Sequence, residues 1–292
     1  MLWDPIDISQ VHRLVFRHCS ALDMPASLHL FSSLKSLKVF NSTISKWEAL
    51  TSALTAASHP LLRSLQFVPT NFSAMELPTG LWPLDFPRQV TVIELCWTNV
   101  KALPPSVSAR WPRQLRLAWE GCDLANVPAV LLEMEPTELS LARNPLTSVP
   151  ASIFTLPALE SLSLASTPLT SLPGNLTLSS AFQQLSIVES KMSDMRSWFD
   201  EDLLMRPQRS LLSENLALFA GQSPYCKEIA RRDIKNGERI VCASTRDDIS
   251  YPLGQEDAQS ALTNANNWLL IVDLSKLASF IDSQEDISRN EL

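Results

Sequence analysis

The chain holds few residues that could carry covalent chemistry, and it keeps them apart. All four histidines, His12, His18, His29 and His59, lie in the first fifth of the 292 residues, whereas Cys226 and Cys242 lie near the other end. A cysteine nucleophile needs a base within hydrogen-bond reach, so this chain cannot build a Cys–His pair in its tail. No glycine-rich phosphate loop or kinase signature occurs, and no cysteine or histidine cluster has zinc spacing. What remains is recognition chemistry. Arg13, Arg17, Lys35, Lys38 and Arg63 are followed by Glu94, Trp97, Arg116 and Glu120, then by Glu138, Ser140 and Ser163. Each stands beside a leucine-type residue in a pattern that recurs. No catalytic residue, cofactor or metal is expected.

The element that must position these side chains is a repeated phrase. Leu139, Leu141, Asn144, Leu146, Val149 and Pro150 align with Leu162, Leu164, Thr167, Leu169, Leu172 and Pro173, 23 residues later. The template is L-x-x-L-x-L-x-x-N-x-L-x-x-L-P. Six further copies begin at residues 11, 34, 62, 90, 114 and 182, and with those at 136 and 159 the starts are spaced by 22 to 28 residues. Self-similarity at such a period is the signature of a solenoid, in which no repeat buries its apolar face alone. The phrase resembles the leucine-rich repeat family, in the subtype with proline after the last leucine. The resemblance implies an α/β horseshoe of about eight repeats with a parallel β-sheet on its concave face.

The physics of the template agrees. Residues four to six of each copy form a short strand, with leucines inward and alternate side chains outward. The ninth slot follows the strand, where backbone groups turn inward and need partners. Asn144 can donate and accept there; Cys19, Ser42, Thr70, Thr98, Cys122, Thr167 and Ser190 fill the slot less completely. Proline after the last leucine cannot join a ladder and starts a short helical or irregular outer segment. The outward residues then run from basic (Arg13, Arg17, Lys35, Lys38, Arg63), through Glu94, Trp97, Arg116 and Glu120, to Glu138 and the small Ser140 and Ser163. Taken singly, such residues are explained by simple solvation. Taken together they form the concave surface that solenoids use for binding.

Composition narrows the partner. A net charge of −7 and a pI near 5.2 oppose nucleic-acid binding, which calls for a basic face, and leave a protein or peptide ligand. No run of 18 apolar residues exists, so no spanning helix and no direct membrane insertion are expected from this chain. Residues 1–10 read as a lead without a basic leader or apolar stretch. Either the chain is the back end of a longer protein, or Trp3, Pro5 and Ile6 cover the first repeat.

The array is expected to span 11–195, and 196–292 to form a C-terminal helical cap. Residues 209–220 carry helical periodicity that stops at Gly221, and a second helical pattern follows Tyr251-Pro252. A helix with a cysteine pair after the last repeat resembles the flanking caps of extracellular leucine-rich repeat proteins. The order of Cys226, Cys242 and the segment from Tyr251 is also similar to tails of oomycete repeat proteins. That resemblance implies a Cys226–Cys242 disulfide, with two buried thiols in a reducing compartment as the alternative. Cys19 and Cys122 sit four repeats apart, about 19 Å at ~4.8 Å per strand, too far for a bond. Of the sequons at Asn41, Asn71 and Asn175, only Asn175, on an outer loop, is a good glycan acceptor. The expected function is non-catalytic protein recognition on the concave face. The alternatives are an extracellular sensing module of a receptor whose membrane span lies outside this chain, and an intracellular scaffold.

Overall fold

Alternation about Leu14, Leu37, Leu65, Ile93, Leu117, Leu139, Leu162, Leu185 and Leu218 builds the molecule, because these residues occupy one register position strand after strand. All nine are buried in a single continuous core. In the computed structural model the residues described are 7–174, 177–193, 195, 202–206, 217–229 and 236–243.

The strands are β1 (Arg13–Arg17), β2 (Leu22–Asp23), β3 (Ser36–Lys46), β4 (Ser64–Phe72), β5 (Val92–Cys96), β6 (Arg116–Glu120), β7 (Glu138–Ser140), β8 (Ser161–Ser163), β9 (Gln184–Ser186), β10 (Leu218–Phe219) and β11 (Ile240–Val241). They form one sheet in the order β1-β3-β4-β5-β6-β7-β8-β9-β10-β11, with β2 beside β3. Each pairing in it is parallel. The fold is therefore a leucine-rich repeat solenoid. Each leucine it buries is worth about 1.5–3 kcal/mol relative to exposure, realised only when the neighbouring rung is present.

The ninth slot behaves as its chemistry requires. Asn144 Nδ2 donates to the carbonyls of Trp119 (2.7 Å), Leu141 (3.0 Å) and Ala142 (3.3 Å). Its Oδ1 accepts from the backbone N–H groups of Cys122 (2.9 Å) and Leu124 (3.1 Å). Ser42 manages one bond of each kind, accepting from Cys19 N–H at 3.0 Å and donating to the Phe40 carbonyl at 2.8 Å. Cys122 uses its sulfur, which accepts from Thr98 N–H at 3.2 Å. Burial pushes that thiol up to about 11.

On the outer side, Pro25, Pro78, Pro128 and Pro150 precede the helical turns Ala26–Leu30, Thr79–Leu81, Ala129–Glu133 and Ala151–Thr155. Proline's fixed φ suits that boundary, as its missing N–H is not needed there. Gly80 lies under Trp47, where a Cβ would come within 2.2 Å of the indole. The α-helical segments are α1 (Val107–Arg110), α2 (the turn Ala129–Glu133) and α3 (Pro224–Ile229) near the C-terminal end.

Beyond residue 195 the structure departs from the expectation of a purely helical cap. The ladder continues: Leu218 pairs with Leu185, and Ile240 with Leu218. Leu218–Phe219 is strand, not the end of a helix over 209–220, because its backbone completes the exposed edge of β9. Ser223 is buried and donates to the Ala220 carbonyl at 2.5 Å, so it fills a further ninth slot. Cys226 on α3 is bonded to Cys242, which follows β11 directly, with Cα atoms 5.7 Å apart. Arg239, buried, donates to the carbonyls of Leu203 (3.3 Å), Leu204 (2.6 Å) and Arg206 (3.0 Å), and burial lowers its pKa. Trp3, Pro5, Ile6, Asn175, residues 209–216 and the helical pattern after Tyr251 lie outside the described residues.

Candidate binding face

Register sorts the outward side chains into three rows across the strands. The first holds Arg13, Ser36, Ser64, Val92, Arg116, Glu138, Ser161 and Gln184. The middle row runs Val15, Lys38, Gln66, Glu94, Ala118, Ser140, Ser163 and Ser186, then Phe219 and Val241. The third begins Arg17, Phe40, Val68, and its later members include Cys96 and Glu120.

Of the expected face residues, Arg13, Arg17, Glu94, Arg116, Glu138, Ser140 and Ser163 take places in these rows. Lys35 and Arg63 do not. Counting alternately from Leu37 and Leu65 puts Ser36 and Ser64 on the face, so the two cations sit one residue upstream, at the strand entrances. Lys38 and Glu120 are on the face by register yet only 1% and 2% exposed, so they belong to its floor.

Phe40 organises the N-terminal part of the face. The Arg17 guanidinium lies 5.1 Å from its ring centroid and the Lys38 ammonium 5.5 Å, with the His18 ring edge-on at 6.0 Å. Cations over an aromatic face are held by the ring quadrupole. Phe40, Val68 and Cys96 form a buried apolar strip against which Trp97 and Ala118 pack. Burial, with Glu120 and Glu94 nearby, raises the Cys96 thiol well above its usual range, which keeps it protonated and unreactive. Ala142, Ala165 and Val188 form a second strip, joined by Phe219. Between the strips, Glu120 accepts from Ser140 Oγ at 2.5 Å, and Glu94 accepts from Gln66 Nε2 at 2.8 Å. Arg116 and Glu138 are paired at 3.4 Å.

Trp97, expected on the face, belongs to a fourth line of residues whose left-handed backbone sequence reasoning missed. Five positions after the first residue of its strand, the backbone turns left-handed at His18 (φ 56°), Asn41 (44°), Trp97 (53°), Gly121 (61°), Arg143 (60°), Ser166 (53°) and Glu189 (54°). The signal was Gly121, the residue type suited to that region. The side chains along this rim touch across repeats. Asn41 Nδ2 meets His18 Nδ1 at 2.8 Å, and Ser166 Oγ donates to Glu189 at 2.8 Å. Trp97 lies over Gly121, where a Cβ would sit 3.0 Å from Nε1, and Arg143 covers its ring at 4.9 Å. Gly121 thus leaves the room in which Trp97 lies flat.

Hollows indent both the rim and the inner surface. One, of about 590 Å³, is lined by His18, Asn41, Thr43 and Asn71. The other, of about 510 Å³, runs along Ser163, Ser186, Phe219 and Val241. Among the described residues there is no group of three or more metal-ligating side chains, and no helix long and apolar enough to cross a membrane.

No protein-family model and no curated protein sequence matches the chain. Solved structures do resemble it. One is Toll in the Drosophila Toll–Spätzle complex, glycosylated form, at 17% identity and a TM-score of 0.49, covering 74% of this chain and 34% of that one. The chain thus spans about a third of the length of that relative. Another is human 5T4, or trophoblast glycoprotein, titled a Wnt-activated inhibitory factor, at 15% identity and a TM-score of 0.40, covering 81% of this chain and 82% of that one.

Proposed function

We propose that the protein is a recognition module that binds a protein or peptide ligand on its concave face and performs no catalysis. One observation carries this reading. Phe40, Glu94, Arg116, Glu138 and the serine row share the outward register positions of one sheet, and Trp97 lies on the rim beside them, where side chains touch across repeats. A solenoid's extended inner surface suits a protein ligand, and the net charge of −7 disfavours nucleic acid. The disulfide favours a second, narrower reading, an extracellular ligand-sensing module, since such bonds persist in oxidising compartments.

Trp97 is the anchor we assign, because tryptophan dominates interface energetics. Arg13 and Arg17 add steering at the basic end, an effect that salt screens. In affinity capture from the native source with the full chain as bait, a specific partner should be retained by the wild type. It should fall at least about 30-fold with Trp97→Ala, equivalent to about 2 kcal/mol. Arg13→Glu with Arg17→Glu should weaken it chiefly at low salt. Equal retention by all three baits would refute the assignment.

A further inference from the structure

The 510 Å³ hollow at the C-terminal end of the ladder contains something its neighbour lacks. Ser163 and Ser186 are outward residues of the middle row, paired in register on β8 and β9. They are nevertheless only 9% and 5% exposed, and neither Oγ has a hydrogen-bond partner among the described residues. Desolvated hydroxyls without partners are costly to the fold, so they call for an explanation. Both line the hollow.

The surroundings define what would satisfy them. The charges in the lining, Arg116 and Glu138, neutralise each other at 3.4 Å, so the hollow favours an uncharged group. Neighbouring rungs are ~4.8 Å apart, so one oxygen centred over two in-register hydroxyls can accept from both at ~2.7 Å. A peptide carbonyl is such an acceptor, and a peptide N–H can donate back to either serine. On the next rungs Phe219 and Val241, both half-buried, form an apolar shelf in the same row. A side chain on the same segment can rest there. The second strip of Ala142, Ala165 and Val188 keeps the adjoining floor low enough for a main chain to approach.

We propose that this hollow is a subsite for an uncharged, extended peptide segment of the ligand, gripped at its backbone by Ser163 and Ser186 and seated by an apolar side chain on Phe219 and Val241. The proposal rests on the concave-face reading and deepens it. A turn about χ1 presents each hydroxyl to the hollow, and because it is already stripped of solvent, a ligand gains its hydrogen bond without dehydrating it. Each is then worth about tenfold in affinity.

The probe is a phage-displayed library of random linear dodecapeptides, panned on the full chain, with selected peptides resynthesised for fluorescence anisotropy. Selected peptides should be rich in uncharged residues with an apolar anchor, and should lose about 100-fold in affinity on Ser163→Ala with Ser186→Ala. That double variant should melt at or above the wild-type temperature, since the hydroxyls it removes have no hydrogen-bond partner among the described residues. Ser186→Phe, which fills the hollow, should abolish binding, whereas Ser152→Glu, on the exposed outer turn Ala151–Thr155, should leave it unchanged. Wild-type affinity for the double alanine variant, or no selectable peptide, overturns the subsite. So does serine-dependent binding of neutral oligosaccharides in place of peptides. Selected peptides that respond to Trp97→Ala but not to the serine variants would sink the subsite and leave concave-face recognition standing.

Discussion

The two ends of this solenoid share one register and differ in what they lay across it. From β1 to β6 the strands on the main path are 5 to 11 residues long, and β3 and β4 continue past the concave face, pairing Ser42 with Thr70 and Ile44 with Phe72. On the inner surface there, Arg17 lies over Phe40, Glu94 accepts from Gln66, and Trp97 packs on the Phe40 strip under Arg143. From β7 to β11 the strands are 2 or 3 residues long, and the surface narrows to serine and alanine. Long rungs support large side chains that are already engaged. Short rungs end in a hollow where the Ser163 and Ser186 hydroxyls have no partner among the described residues. Glu120 and Gly121 mark the division, one buried under Ser140 and the other beneath Trp97. The irregular half offers anchors, and the regular half offers room.

Several substitutions would break or sharpen this contrast. The largest effect is expected at Asn144, which supplies five hydrogen bonds to the backbone where the two halves meet. Asn144→Ala should cost about 4 kcal/mol in denaturant unfolding, because a buried network loses its centre. Thr167→Ala, one repeat on, removes a bond to the Leu164 carbonyl and should cost about 1 kcal/mol.

Next comes the end clip. Cys226→Ser with Cys242→Ser opens a loop of 16 residues and should cost about 3 kcal/mol. In hydrogen exchange the loss should appear at Leu218, Ala220 and Ile240, with protection of β1 to β6 unchanged, since repeats feel mainly their neighbours. At the other end, Gly80→Ala pushes a Cβ to 2.2 Å from Trp47 and should cost about 2 kcal/mol, lowering the melting temperature.

The smallest effect concerns pH. His59 is fully buried, with Nε2 3.0 Å from the Leu28 carbonyl, and burial lowers its pKa from 6.5. The folded state therefore binds its proton less readily than the unfolded state does. The resulting stability is complete above the unfolded value of 6.5 and is lost as pH falls through the lowered folded value. His59→Gln should flatten that slope in melts taken between pH 5 and pH 7.5.

Much of this was legible in the chain because the repeat is a strict physical constraint. The leucine slots, the prolines ahead of the outer turns and the graded chemistry of the ninth slot follow from which residues can face a core, end a ladder or satisfy a turn. The pairing of Cys226 with Cys242, implied by resemblance to flanking caps, is present. The rungs β10 and β11 were harder to see. Leu218, Ala220 and Ser223 repeat Leu185, Ile187 and Ser190, but 33 residues later, and alanine is a weak marker of a core slot. Lys35 and Arg63 were displaced from the face because alternation must be counted from the strand leucine, not from the first residue of the repeat. The burial of Lys38 and Glu120 was hidden for another reason: a side chain on an outward position is covered by neighbours from adjacent repeats, which a single repeat does not reveal. The left-handed rim is a backbone property, written in the sequence only at Gly121.

The most direct measurement places a photo-reactive benzoylphenylalanine on one side of the sheet or the other. It would replace Ser140 on the concave face, or Ser152 on the outer turn Ala151–Thr155, in the full chain within its native extract. Concave recognition predicts a discrete cross-linked protein or peptide from position 140 and none from position 152. Adducts from position 152 alone, or from neither position, would contradict it.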